Sequence, residues 1–251
     1  MPTFQIRKSA ERGHANHGWL DTYHTFSFAN YHDSKFMGFG ALRVLNEDRV
    51  AADNGFGTHP HKEYEIFSYI LSGALTHTDS LGHIERLTRG MIQHTSAGTG
   101  VAHSETNKDS EPVHFLQIWL KPAVNGLSPS YVTRTFTDDE KRNRLCPVLK
   151  PDSSLGLSVP KELQTLDSLV PTHADVYMFA CILDKGHKVV YQPVGNGRRA
   201  YVHVVLGRGS LRVGEVVLEG GDGVFIEGVD DGGVEVEGLN GTVEFVLLDL
   251  N

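Results

Sequence analysis

The stretch 58–73, THPHKEYEIFSYILSG, sets His59 and His61 two residues apart and then runs into β-branched and aromatic residues closed by a glycine. Alternate side chains of an extended segment share a face, so these two imidazoles point the same way. Around this stretch the same texture continues: FGALRVLN (39–46), EDRVAADNGFG (47–57), ALTHTDSLGHIERLTRG (74–90), MIQHTSAG (91–98) and VHFLQIWLKP (113–122). These are short strands punctuated by turn residues, with no sustained helical period.

Between Leu120 and Asn143 the strand pattern lapses into Pro, Gly and Ser and ends in the charge cluster DDEKR, which reads as a linker. Beyond it come ADVYMFACILDKG, KVVYQPV, RRAYVHVVLGRGSLRVGEVVLEGGDGVFIEG and GVEVEGLNGTVEFVLLDLN, again all-β. EIFSYILSGALTH (65–77) and RAYVHVVLGRGSLRV (199–213) share a strand, glycine turn and strand, each followed by an acid-and-glycine turn or its like, TRGM and EGGD. This is the pattern of an internal duplication. The expected fold is all-β, with two tandem antiparallel sandwiches or small barrels of jelly-roll type. The expected division is a first domain over 1–125, a linker over 126–142 and a second domain over 143–251.

A chain of 251 residues accommodates two such domains without metal or disulfide staples, so a metal would serve function. The formal net charge of −8 disfavours direct contact with a phosphate backbone. No apolar run has the length to span a bilayer, and the opening residues lack a secretory pattern, so no membrane association and an intracellular, cytoplasmic location are expected, with a nuclear pool open in a eukaryote. Cys146 and Cys181 have no CxxC spacing and read as two free buried thiols.

Downstream, GTGVAHSETN (98–107) sets His103 and Glu105 at i and i+2, a second same-face pair. Three neutral imidazoles and a carboxylate suit Fe(II), Mn(II), Ni(II), Cu(II) or Zn(II), and an octahedral ion would keep two open positions. The same residues also admit a plain structural reading, with His59 and His61 capping a turn beside Pro60 and His103 paired with Glu105 on a solvated loop.

The sequence resembles the pirin family. His59-Pro60-His61, Glu65, Ser68-Tyr69, Gly73, His77-x-Asp79-Ser80-x-Gly82 and Ala97-Gly98-x-Gly100-x-x-His103-Ser104-Glu105 are similar to that family's N-terminal cupin. The segments 26–32, FSFANYH, and 40–50, GALRVLNEDRV, are similar to its opening, and the resemblance is dense over 19–122. It implies a bicupin holding one mononuclear divalent metal, most often iron, through His59, His61, His103 and Glu105. The general cupin pattern would instead nominate Glu65, but pirin-like proteins use the later carboxylate, which leaves Glu65 a supporting or structural role. The resemblance further implies a quercetin 2,3-dioxygenase that opens a flavonol with O2 and releases carbon monoxide, with Glu105 assisting as base. The alternative it carries is a non-enzymatic, iron-dependent redox sensor that binds a transcription factor as protein partner. A small-molecule cupin enzyme working without oxygen, such as an isomerase, would use the same ligands.

Gln93, His94, Ser104, Gln117 and Asp79 are candidates to orient the imidazoles. Phe56, Phe67, Tyr69, Phe115 and Trp119 are candidates to line a pocket for a flat polyphenol, against their ordinary use as core. Laying Gly207 on Gly73 sets Pro193 and Gly195 at the places of His59 and His61. Laying Gly221 on Gly90 sets Val234 and Val236 against His103 and Glu105. The second half is therefore expected to be a degenerate cupin without a metal, and its isolated His187 and His203 are assigned no chemistry.

Overall fold

A computed structural model describes residues 1–157, 159–160, 163, 168–207, 209–230 and 232–251 of the chain. The strands of the first half are β1 (Thr3–Arg7), β2 (Gly13–Asn16), β3 (Leu20–His24), β4 (Leu42–Val50), β5 (Asn54–His61), β6 (Glu65–Ser72), β7 (Ala74–Asp79), β8 (Ile84–Thr88), β9 (Met91–Ser96), β10 (Val101–Asn107), β11 (Val113–Leu120) and β12 (Ser130–Thr135). After the short helix α1 (Asp138–Lys141) come β13 (Cys146–Pro151), β14 (Val170–Thr172), β15 (Val176–Leu183), β16 (Lys188–Tyr191), β17 (Arg199–Val204), β18 (Ser210–Val213), β19 (Val216–Glu219), β20 (Gly223–Glu227), β21 (Val234–Asn240) and β22 (Val243–Leu250). Among the described residues no helix is long and apolar enough to cross a membrane.

The chain forms two compact units, one of residues 12–135 with 172–174 and one of residues 1–11, 136–171 and 175–251. Each is a pair of antiparallel sheets. The first unit stacks the seven-stranded order β12-β9-β6-β11-β4-β3-β2 and the four-stranded order β5-β10-β7-β8; the second has β1-β20-β17-β22-β15-β13-β14 and β16-β21-β18-β19. Replacing β5 through β8 by β16 through β19, β9 by β20, β10 by β21 and β11 by β22 converts the core of one list into the other. The duplication read from the glycine turns is thus a repeat of topology, and the protein is a bicupin.

Burial explains why these segments are strands. On β10 the residues Val101, His103, Glu105 and Asn107 are buried while those between them are partly exposed, the alternation of a strand with one face inward. On β6, seven residues in a row are buried because the strand is central and covered on both faces. Ile66, Ser68 and Ile70 face the opposing sheet, and Glu65, Phe67 and Tyr69 face away. The turn between β6 and β7 needs glycine: Gly73 has φ +71°, and a Cβ there would meet the Pro112 carbonyl oxygen at 2.7 Å.

Two boundaries differ from the sequence reading. The expected linker 126–142 contains β12, which pairs along its length with β9 as the edge of the seven-stranded sheet, and α1, which opens on a capping box between Thr137 and Glu140. A six-residue edge strand flanked by Pro, Gly and charges carries too little periodicity to stand out. At the other end, β1 pairs with β20 from Thr3↔Glu227 to Arg7↔Gly223, so residues 1–11 belong to the second unit rather than to a first domain starting at residue 1. Arg208, inside the strand-and-turn pattern quoted above, lies outside the described residues.

Register gives a further correction. His103 is opposite His59 on one side and Asp79 on the other, and Glu105 is opposite His77. In the second unit Val236 is opposite Val189 and Val213, and Gly238 is opposite Leu211. The places of His59, His61, His103 and Glu105 are therefore taken by Val189, Tyr191, Val236 and Gly238, not by Pro193, Gly195, Val234 and Val236. The shift arises in the connections: 192–198 is four residues longer than 62–64, and 228–233 is two longer than 97–100.

Candidate metal centre

The three histidines converge because two neighbouring strands present them at one ladder position. His59 and His61 lie on β5, and His103 lies on β10 directly opposite His59. Between His103 and Glu105 the pairing slips by one residue, so that Glu105 faces Phe56. The extra residue sits on β5 at Gly57 or Thr58, and such a bulge re-aims side chains beside it. Gly55 allows the two strands to close up, since a Cβ there would lie 2.3 Å from the Glu105 carbonyl oxygen.

One ring nitrogen from each of His59, His61 and His103 falls within 4.8 Å of the others. His61 stands edge to face with His59 and with His103, the His59 and His103 rings are tilted at 60°, and all three centroid separations are 4.6 to 4.7 Å. His59 Nδ1 lies 2.8 Å from the Gly57 carbonyl oxygen, which must accept, so Nδ1 carries the proton and Nε2 keeps its lone pair. That Nε2 is 3.2 Å from His103 Nε2. His61 Nε2 and His103 Nδ1 are buried without a hydrogen-bond partner. Burial, with the neighbouring imidazoles, pushes His61 down to about 4 and His103 down to about 3, so both are neutral at neutral pH. Converging neutral imidazoles with unfilled buried nitrogens are poorly satisfied by protein alone. A single divalent cation satisfies them, and the donor set fits one.

Glu105 is fully buried beside this trio but outside the 4.8 Å group. Ser68 Oγ donates to its Oε1 at 2.7 Å and Gln117 Nε2 to its Oε2 at 3.2 Å. Both partners come from the facing sheet, where cross-strand pairing sets Gln93, Ser68, Gln117, Asn46 and His24 side by side on five adjacent strands. This polar row crosses the sheet, and its centre holds Glu105.

Other expected residues fall elsewhere. Glu65 points to the opposite face of β6, where it accepts from Ser96 Oγ (2.6 Å) and from the backbone N–H of His173 (3.0 Å) and lies 2.9 Å from His94 Nε2. Burial alone would raise its carboxyl, but the bonds from His94, Ser96 and His173 hold it at about 2. It is a structural anion. His94 serves Glu65, Gln93 donates to Thr95 at 2.5 Å, and Asp79 is engaged by His77 and His83. Of the proposed orienting residues, Gln117 alone has a hydrogen bond to the Glu105 carboxylate. Ser68, quoted only within the family motif, had no role assigned to it, although a serine in the middle of the apolar run EIFSYIL was its signal.

A cavity of about 680 Å³ opens beside the histidines, with His59 and Gln117 in its wall. Phe56 and Trp119 line it as expected, whereas Phe67, Tyr69 and Phe115 do not. Much of the remaining wall comes from the front of the chain, including Trp19, His24, Phe28 and Tyr31, together with Asn46 and Asp48 of β4. Trp119 sets its ring edge-on to His61 at 4.9 Å, joining the aromatic wall to the imidazoles.

Comparison with known proteins agrees with this geometry. Residues 4–120 match the family model described as pirin, and residues 164–250 match that of the quercetinase C-terminal cupin domain. The chain is 44% identical over 222 residues, 88% of each sequence, to a quercetin 2,3-dioxygenase of Escherichia coli strain K12. It is 35% identical over 237 residues to a pirin-like protein of Caulobacter vibrioides, covering 94% of this chain and 95% of that one. Among solved structures, the bacterial pirin YhhW of Escherichia coli in complex with nickel(II) superposes with a TM-score of 0.85 at 40% identity, covering 99% of both chains. Matched along nearly its whole length in sequence and in fold, the chain belongs to the pirin family.

Proposed function

We propose that this protein is a metal-dependent flavonol 2,3-dioxygenase of the quercetinase type, which opens the central ring of its substrate with O2 and releases carbon monoxide. The observation that carries the reading is the meeting of three converging imidazoles with an aromatic cavity of about 680 Å³ through one shared residue, His59. Relatives bearing the name quercetin 2,3-dioxygenase support the same chemistry.

His59, His61 and His103, with Glu105, would hold one divalent cation, with iron(II) the first choice and nickel(II), found in the YhhW complex, a close second. The cation would supply Lewis acidity, which lowers the pKa of a bound enolic hydroxyl and favours its anion. The chain's own residues do the rest. Gly57 fixes the tautomer of His59 so that Nε2 faces the cluster. Ser68 and Gln117 hold the Glu105 carboxylate in one orientation, from which it can accept the proton of the substrate's 3-hydroxyl. Trp119, Phe56, Phe28 and Trp19 offer flat apolar walls to a planar ligand and exclude water around it.

Oxygen uptake and carbon monoxide release with quercetin, measured on anaerobically iron-loaded protein beside Glu105→Gln, tests this reading. Metal-dependent turnover that collapses in the variant at equal metal content supports it. A fully loaded protein that consumes no oxygen overturns it in favour of a redox-responsive binding module.

A further inference from the structure

The cavity wall contains a carboxyl group that neither the metal centre nor the fold uses. Asp48 sits on β4, in the sheet that faces the imidazoles, and is 98% buried, with a relative exposure of 2%. Thr22 Oγ1 donates a short hydrogen bond to Asp48 Oδ1. Among the described residues this is the only hydrogen bond to the Asp48 side chain, so Oδ2 has none. The polar groups around it are already engaged: His24 Nδ1 lies 2.9 Å from Asn46 Oδ1, and Arg12 is held by Glu47 (3.5 Å) and by the Tyr23 carbonyl (2.9 Å). With one oxygen tied to Thr22, this carboxyl has its second oxygen left for a donor in the cavity, whose wall it shares with Trp19, Phe28, Phe56 and Trp119.

We propose that Asp48, braced by Thr22, is the specificity-determining residue of the cavity, accepting a hydrogen bond from a ligand hydroxyl other than the one presented to the imidazoles. The ligand class that follows is a planar aromatic with at least two hydroxyls, one for each sheet of the barrel. Burial, together with the nearby Glu105 charge, raises the Asp48 carboxyl to about 7 despite the Thr22 bond, which places it closer to a phenol in proton affinity than an ordinary carboxylate is. Thr22 is a positioning residue: it ties down one oxygen and leaves the other facing the cavity. This assignment rests on the polyphenol reading of the cavity given above.

The chain's two tryptophans, Trp19 and Trp119, both line the cavity, so their fluorescence reports ligand occupancy without catalysis or metal. Metal-free protein is titrated with quercetin and with 3-hydroxyflavone, which lacks the ring hydroxyls away from the 3-position. The wild-type protein is expected to bind quercetin about tenfold or more tightly than 3-hydroxyflavone, the scale of one hydrogen bond to a charged group. Asp48→Asn, which keeps the size and the Thr22 bond, is expected to weaken quercetin about tenfold and to change 3-hydroxyflavone by less than about twofold. Thr22→Val is expected to shift the same selectivity by a smaller factor, and it decides the matter with the wild-type pair if the Asp48 variant does not fold. Equal affinity for the two flavonols, or unchanged selectivity in both variants, overturns the role of Asp48 and leaves the dioxygenase reading standing. No quenching by either flavonol in the wild-type protein overturns both.

Discussion

The two barrels carry the same ladder across the same gap and fill it with opposite chemistry. In the first, the ladder positions are His59, His61, His103 and Glu105, beside a cavity; in the second they are Val189, Tyr191, Val236 and Gly238. Tyr191 and Val236 belong to a continuous apolar cluster with Leu211, Val213 and Phe245, against which Val189 packs. The scaffold therefore does not need polar residues at these positions, and its stable solution is hydrophobic. Imidazoles in the first barrel lose that packing and leave buried nitrogens unfilled, a cost that makes sense where a ligand compensates it.

The largest expected effect separates the halves outright. Replacing His59 and His61 together with Ala should take bound divalent metal from about one equivalent per chain to none, measured by elemental analysis after dialysis. Two equivalents in the wild-type protein would break the contrast. In the reverse direction, Val236→His places a lone imidazole in a fully buried apolar position and should destabilise the protein by about 2–4 kcal/mol in urea unfolding. A neutral effect there would mean the second barrel tolerates a site it lacks.

The third expectation concerns acid. Glu65 has a folded pKa of about 2 against an ordinary 4.5, so its contribution is complete above about pH 4.5 and is lost as the pH falls toward 2. The depression corresponds to about 3 kcal/mol, and Glu65→Gln should cost a similar amount at neutral pH and flatten the acid limb of stability. Because Trp19 and Trp119 both lie in the first unit, tryptophan fluorescence reads the barrel that contains Glu65. Metal-free protein should also lose stability as the pH drops below about 6.5, since His61 and His103 protonate in the unfolded chain well before they do in the folded one. The smallest effect is expected at Ser68→Ala, which removes one of two hydrogen bonds to Glu105 and should weaken metal binding about tenfold with the fold intact.

What the sequence made legible was local. Same-face pairing of His59 with His61 and of His103 with Glu105 follows from a period of two, and the repeated strand-glycine-strand pattern was enough to give two similar barrels. What it hid depends on pairing across distance. The offset between the halves changes in loops whose lengths differ, so a single glycine anchor cannot carry register through them. Asn46 and Asp48 stand two apart in LRVLNEDRV, a visible same-face polar pair, but only the facing sheet shows that they overlook the cavity. Glu65 lies on the strand that begins the motif, and its single-residue offset from Ile66 turns it to the other side of the sheet.

The pairing of β1 with β20 bears on synthesis. Residues 12–135 can assemble most of their barrel while the rest of the chain is still on the ribosome, as domains emerging first commonly do, and residues 172–174 join it later. Residues 3–7 emerge before all of this but have no partner until residues 223–227 arrive, so this edge of the second barrel closes late and joins segments more than 200 residues apart. Trimming the first few amino acids would therefore injure the half of the protein translated last.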